Sequence, residues 1–139
     1  MLMGDFLTLV QYDLPVKVVV FKNSLLGMVD LEMLVDGLPP HGTTYAHPDY
    51  AAIAAAAGAR GIQVEKPTEV RDALREVFAH DGPALVDIVT DPTALAVPPK
   101  ITTEQISGFA LSASRTVLTG GVGRMVHLAR ANLRNIPRP

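Results

Sequence analysis

The hydrophobic pattern changes character inside residues 16–32, VKVVVFKNSLLGMVDLE. A near-continuous apolar, β-branched run from Val16 to Phe21 stops at Lys22-Asn23-Ser24, and an apolar helix-like segment over 24–35 follows, closed by Asp36-Gly37. A strand apolar on both sides suits a parallel sheet covered on both faces. Upstream, LMGDFLTLVQYD at 2–13 places Leu2, Phe6, Leu9 and Val10 on one face of a helix that ends before Pro15.

The same alternation continues. Residues 37–48, GLPPHGTTYAHP, read as a loop. Asp49 is placed to cap the helix AAIAAAAG, which Gly58 stops, and its alanines predict close packing on a sheet. A strand is expected over 61–65, then a helix TEVRDALREVFAH capped by Thr68, with Val70, Leu74, Val77 and Phe78 inward. Asp81-Gly82 turns the chain into a buried strand, PALVDIVTD. Strand and helix alternating over 16–90 predict an α/β fold, a doubly wound, mostly parallel sheet with flanking helices. After Asp91 the pattern breaks. The organisation expected is an α/β domain over 1–92, a Pro-containing linker over 93–102, and a helical tail over 103–139 with helices near 103–119 and 122–135.

Composition narrows the function. The chain has 139 residues, the size of one domain, and 48% of them are apolar, so it can bury a core. It has no cysteine, which excludes disulfides, thiolate zinc sites and cysteine nucleophiles. A net charge of −2 argues against a general nucleic-acid binder. No basic segment precedes the first apolar residues, and no apolar run is long enough to span a bilayer, so a cytoplasmic location is expected.

Asn23 is the position where chemistry is expected. Ligands of open α/β sheets sit beyond the carboxyl ends of the strands. Asn23 lies at such an end, and Ser24 opens the next helix. Free N–H groups of a helix N-terminus bind phosphate, and an Asn carbonyl is a hard oxygen suited to Mg²⁺. The same two residues also make ordinary helix caps, and the local sequence favours that simpler role. The histidines are His41, His47, His80 and His127; His41 and His47 share a loop from which they could approach a substrate, but they read rather as solvated, and two are too few for a metal site. Asp87, inside an apolar strand, needs a partner that the sequence does not identify.

Longer stretches carry a resemblance. MLMGDFLTLVQYDLPVKVVVFKNS, SLLGMVDLEM, GIQVEKPTEVRDAL, and DGPALVDIV followed by Pro-Pro and a Gly108-Phe109 helix are together similar to the C-terminal, cofactor-binding domain of thiamine-diphosphate enzymes. The pyruvate dehydrogenase (quinone)/pyruvate oxidase group looks closest. That family's motif is Gly-Asp-Gly, a spacer, then usually Asn-Asn. Asn23 matches the second Asn, and Lys22 stands for the first. The resemblance implies thiamine diphosphate and Mg²⁺ as cofactors, with Asn23 and the backbone carbonyl of Leu25 as metal ligands. It places Ser24, Leu25, Gly27 and Met28 against the cofactor, and makes Glu32 the candidate acid or base.

The Gly-Asp-Gly half would precede Met1. Met1 is therefore expected to be an internal methionine of a longer enzyme, truncated here at its N-terminus and lacking the aspartate metal ligand. The pyrimidine-binding domain and the FAD-binding domain would be missing as well, so FAD would not be bound by this segment. The implied reaction is decarboxylation of a 2-oxo acid, pyruvate, by a homo-oligomeric oxidoreductase passing electrons to FAD and a quinone. The isolated fragment is expected to be inactive. An acetolactate synthase-like enzyme or another thiamine-diphosphate enzyme is the near alternative, and a non-catalytic α/β binding or assembly module the distant one. In the tail, Val122, Met125, Val126, Ala129 and Leu133 gather opposite Arg124, His127, Arg130 and Arg134. That pattern, over 120–139, suits a peripheral helix on the inner face of the cell membrane.

Overall fold

The computed structural model describes residues 3–46, 48–94 and 102–132. His47, the end of the expected tail helix (Leu133, Arg134) and most of the expected linker lie outside them, as does Leu2. The described residues form two compact units, one within Met1–Lys22 and His47–Thr90, the other within Asn23–Ala46 and Asp91–Pro139.

The first unit holds the sheet. Its elements are α1 (Met3–Gln11), β1 (Lys17–Lys22), α3 (Tyr50–Ala56), β2 (Arg60–Val64), a 3-10 turn at Pro67–Glu69, α4 (Val70–Ala79) and β3 (Ala84–Val89), while α2 (Gly27–Val35) falls in the other unit. The strands are parallel in the order β1-β3-β2, with Val20 and Gln63 both opposite Asp87. β3 is therefore central, and its residues Ala84 to Ile88 are all buried. One sheet face, with Val64, Ala84, Val86 and Ile88, packs on Ala73 and Val77 of α4. The other, with Val18, Val20 and Leu85, packs on Phe6 of α1 and Ala54 of α3. Helices on both faces make this the doubly wound α/β arrangement that the alternating pattern predicts.

Several local expectations are refined. Asp49 caps α3 as expected, its Oδ1 accepting the Ala52 N–H at 2.8 Å. The alanines allow a tight approach: a Cβ on Gly61 of β2 would stand 2.0 Å from the Ala51 carbonyl oxygen. Thr68 does not cap α4, because Pro67 starts a 3-10 turn and the α-helix begins only at Val70. Phe78 is 67% exposed. It sits about 100° round the helix from Val77, past the edge of the buried stripe.

The second unit contains α2, α5 (Thr103–Leu118), α6 (Val122–Asn132) and the loop over 38–46. A capping box of Thr102 and Gln105 starts α5. α5 crosses α2 at Gly108, where a Cβ would stand 1.6 Å from the Val35 carbonyl oxygen. It also closes the end of α2: Arg115 donates to the Gly37 carbonyl at 2.7 Å and Ser112 to the Leu38 carbonyl at 3.0 Å. Gly37 has φ 76°, the left-handed conformation usual just past a helix end. α2 begins at Gly27 rather than 24 because Ser24 has φ 55°, outside the right-handed helical region.

Candidate functional site

Three residues build the approach to α2. Asn23 makes a local turn in which its Oδ1 accepts the Leu25 N–H at 3.1 Å. Leu25 pairs with Thr44 in an antiparallel bridge, and Leu26 donates its N–H to the Thr43 carbonyl at 2.8 Å. The loop at 43–45 thus pins 24–26 just ahead of the helix. Leu26 is the N-cap, and no side chain caps α2. Asn23 does not do what a cap residue does, since its oxygen takes the Leu25 N–H ahead of the helix. A helix start without a side-chain cap leaves its first N–H groups, those of residues 27–29, without the partner a cap would supply.

A cavity of about 210 Å³ opens here, lined by Asn23, Leu25, Gly27, Met28, Leu31, Pro92 and Ala94. Gly27 keeps it open beside the asparagine, since a Cβ there would stand 3.3 Å from Asn23 Nδ2. The structure thus brings together Asn23, Leu25, Gly27 and Met28, which sequence reading selected. Ser24 is buried and Glu32 exposed, and neither lines the cavity. Leu31, Pro92 and Ala94 were missed. Pro92 follows β3 closely in the chain, and the rule that such folds keep ligands beyond strand ends was the available signal in the sequence.

Among the described residues no charged side chain lines the cavity. Asp30 of α2 is 3% exposed and already engaged, accepting from Thr43 Oγ1 at 2.8 Å and from Arg124 at 3.0 and 3.1 Å. Among the described residues no group of three or more His, Cys, Asp or Glu could hold a metal ion. The donor set is therefore a neutral one, the Asn23 amide oxygen, the Leu25 carbonyl and the N–H groups opening α2. The Asn23 oxygen has a second lone pair beyond the one taken by Leu25. Such a set fits a hard cation bound together with an anion, since it offers oxygens to one and N–H groups to the other. At the wall, Asp91 Oδ1 accepts from the Thr93 hydroxyl at 2.6 Å and the Thr93 N–H at 2.8 Å. These bonds, the hydroxyl first, hold the Asp91 carboxyl below the ordinary 3.8. His41, His80 and His127 are exposed.

The family model for the thiamine pyrophosphate enzyme C-terminal TPP-binding domain matches residues 1–88. The chain belongs to that family. The match includes Asn23 to Met28; Pro92 and Ala94 fall beyond it. YdaP of Bacillus subtilis, by its name a thiamine pyrophosphate-containing protein, is 39% identical over 110 residues, 79% of this chain and 19% of YdaP. The acetolactate synthase catalytic subunit of Aspergillus candidus is 33% identical over 100 residues, 70% of this chain and 14% of its own. A 2-hydroxyacyl-CoA lyase of Arabidopsis thaliana is 34% identical over 93 residues, 63% of this chain and 16% of its own. The chain thus spans less than a fifth of the length of these relatives. Among the described residues no helix is long and apolar enough to cross a membrane.

Proposed function

We propose that this chain is the part of a 2-oxo-acid-decarboxylating enzyme that grips the diphosphate and Mg²⁺ of thiamine diphosphate, and that pyruvate is the acid. The observation that carries this reading is Asn23. It is a residue suited to capping, yet it leaves the helix uncapped and stands with Leu25 at the open start of α2, in one cavity. Asn23 Oδ1 and the Leu25 carbonyl would hold the metal, and the N–H groups of residues 27–29 would take the diphosphate. When bound, the thiazolium ring supplies an electron sink for decarboxylation. Met28 and Leu31 line the cavity and would supply its apolar wall. Glu32 is exposed, and moves protons for the reaction only when a further part of the enzyme covers it.

The cavity, at about 210 Å³, is smaller than the roughly 300–1,000 Å³ of a typical small-molecule site. The rest of the cofactor would rest on parts of a longer enzyme. In the full reading, that enzyme is an oxidoreductase of the quinone-linked pyruvate dehydrogenase type, with FAD held elsewhere. An acetolactate synthase-like reading has its own support in the Aspergillus relative, named as an acetolactate synthase subunit at 33% identity.

Calorimetry on the 139-residue chain tests the site. Thiamine diphosphate should bind weakly, with Kd on the order of 1 mM, and only with Mg²⁺. Asn23→Ala should abolish the heat. Micromolar binding that survives Asn23→Ala would overturn the assignment. Within a longer enzyme supplied with pyruvate, electron transfer to a quinone against formation of acetolactate separates the two readings.

A further inference from the structure

We infer that α6 braces the cavity, with Arg124 and Asn132 as positioning residues for its two walls. What the cavity holds rests on the proposed function; the bracing is a separate, geometric relation. Arg124, Leu128 and Asn132 follow one another at four-residue spacing, so they share one stripe of α6.

At one end of the stripe Arg124 Nη2 lies 3.1 Å from Asp30 Oδ1 and 3.0 Å from Oδ2. Asp30 sits in the first turn of α2, the helix that contributes Gly27, Met28 and Leu31 to the cavity. The same Asp30 Oδ1 accepts from Thr43, whose carbonyl in turn accepts the Leu26 N–H. Arg124 therefore governs, through one carboxylate, both the first turn of α2 and the loop that holds the chain just before Gly27. At the other end Asn132 Nδ2 donates to the Thr93 carbonyl at 2.8 Å. Thr93 lies between Pro92 and Ala94, the other two wall residues. Leu128, between the two tethers, is 8% exposed and anchors the helix by apolar burial. Helix packing alone would need Leu128 and its neighbours, not two polar tethers ending on Asp30 and Thr93, each next in the chain to a residue that lines the cavity.

The test uses the full chain, with amide hydrogen exchange and with titration of inorganic diphosphate in Mg²⁺. Arg124→Gln should speed exchange at Leu26 and Asp30, whose N–H groups donate to the Thr43 and Leu26 carbonyls, by about tenfold, the scale of losing a charge-assisted hydrogen bond, and Asn132→Ala should do so at Thr93 and Ala94. Exchange at residues 84–89 should not move. Arg124→Lys, which keeps the charge without the planar fork, should restore part of the protection. Both variants should weaken diphosphate binding several-fold. The proposal is overturned if the variants leave Leu26, Asp30, Thr93 and Ala94 protected as in the parent chain. It is also overturned if exchange rises equally over β3, or if the walls loosen and diphosphate affinity stays the same. If the parent chain does not bind diphosphate at all, the proposed function falls, and the exchange pattern still decides the brace.

Discussion

The ammonium of Lys22 lies 2.8 Å from Asp87 Oδ2, and the two side chains are only 6% and 0% exposed. In the parallel register Val20, not Lys22, is opposite Asp87. The lysine at the end of β1 reaches back diagonally along the sheet face to the carboxylate. The same oxygen accepts from the Tyr50 N–H at 3.3 Å and from Gln63 Nε2 at 3.4 Å, while Oδ1, also buried, has no hydrogen-bond partner among the described residues. Lys22→Met alone would strand a buried carboxylate, and about 3–5 kcal/mol of stability should be lost. The double variant Lys22→Met/Asp87→Leu should recover most of it, because an apolar pair of similar volume removes both desolvation costs. Urea unfolding midpoints of the two single variants and the double variant measure this directly. A double variant no more stable than Lys22→Met would show that the pair is worth keeping for its own sake.

Gly108 and Gly123 should respond in opposite directions to the same substitution. A Cβ at Gly108 would meet the Val35 carbonyl oxygen at 1.6 Å and its carbon at 2.7 Å, both backbone atoms that cannot swing aside. Gly108→Ala must push α5 off α2, with an expected loss of about 3 kcal/mol, the upper end of overpacking costs. Gly123, in the first turn of α6, has nothing within 4 Å of its added Cβ. Gly123→Ala should gain up to about 1 kcal/mol of helix propensity. Thermal unfolding of the two variants should show Tm moving down for the first and up for the second.

The sheet was legible in the sequence because its strands read as apolar runs. The LVDIV segment is buried on both faces, whereas Val16 to Phe21 is a near-continuous apolar run although Val19 and Phe21 are exposed. The partner of Asp87 was not legible. Lys22 lies 65 residues away, and the meeting depends on β3 inserting between β1 and β2. At the site, Asn23 was selected for its place at a strand end, and Leu25, Gly27 and Met28 came from resemblance. The true start of α2 was hidden because it turns on the left-handed φ of Ser24, which serine does not announce. Arg124 read as one cation on the polar side of a membrane-surface helix, since α6 alone does not reveal the buried Asp30 it meets. The apolar residues Val122 and Val126 of that helix are exposed, at 53% and 44%.

The Asp91–Thr93 turn should loosen in acid. Thr93 donates twice to the charged carboxylate and lowers its pKa, so the folded form binds its proton less readily than the unfolded chain. The contribution is present above the ordinary aspartate value of 3.8 and disappears as pH falls through the lower folded value. Asp91 is largely solvated, so the effect belongs to the turn and not to global stability. The Thr93 amide shift should titrate with a midpoint below 3.8. Asp91→Asn, which keeps an acceptor oxygen, should preserve the turn at neutral pH, and Asp91→Ala should not. A midpoint at or above the ordinary value would contradict the two donated bonds.

Self-association of the 139-residue chain is expected through the outer part of β1. β1 pairs with β3 alone among the described residues, so one of its edges presents unpaired N–H and C=O groups. Its side chains on the sheet face shared with α4 are poorly covered, Val19 being 36% and Phe21 71% exposed. An apolar strand with an open edge is a template for pairing with another chain, and soluble proteins usually blunt such edges with charge. Phe21→Lys should therefore lower association without disturbing the core, because Phe21 contributes little buried area. Sedimentation velocity over a concentration series should show the parent chain moving to larger species and Phe21→Lys staying nearer the monomer. If the parent chain remains monomeric at high concentration and binds no dye that reports exposed apolar surface, β1 is not an association edge. If Phe21→Lys associates as the parent does, the sticky surface lies elsewhere, with Leu118 at 85% exposed the next residue to change.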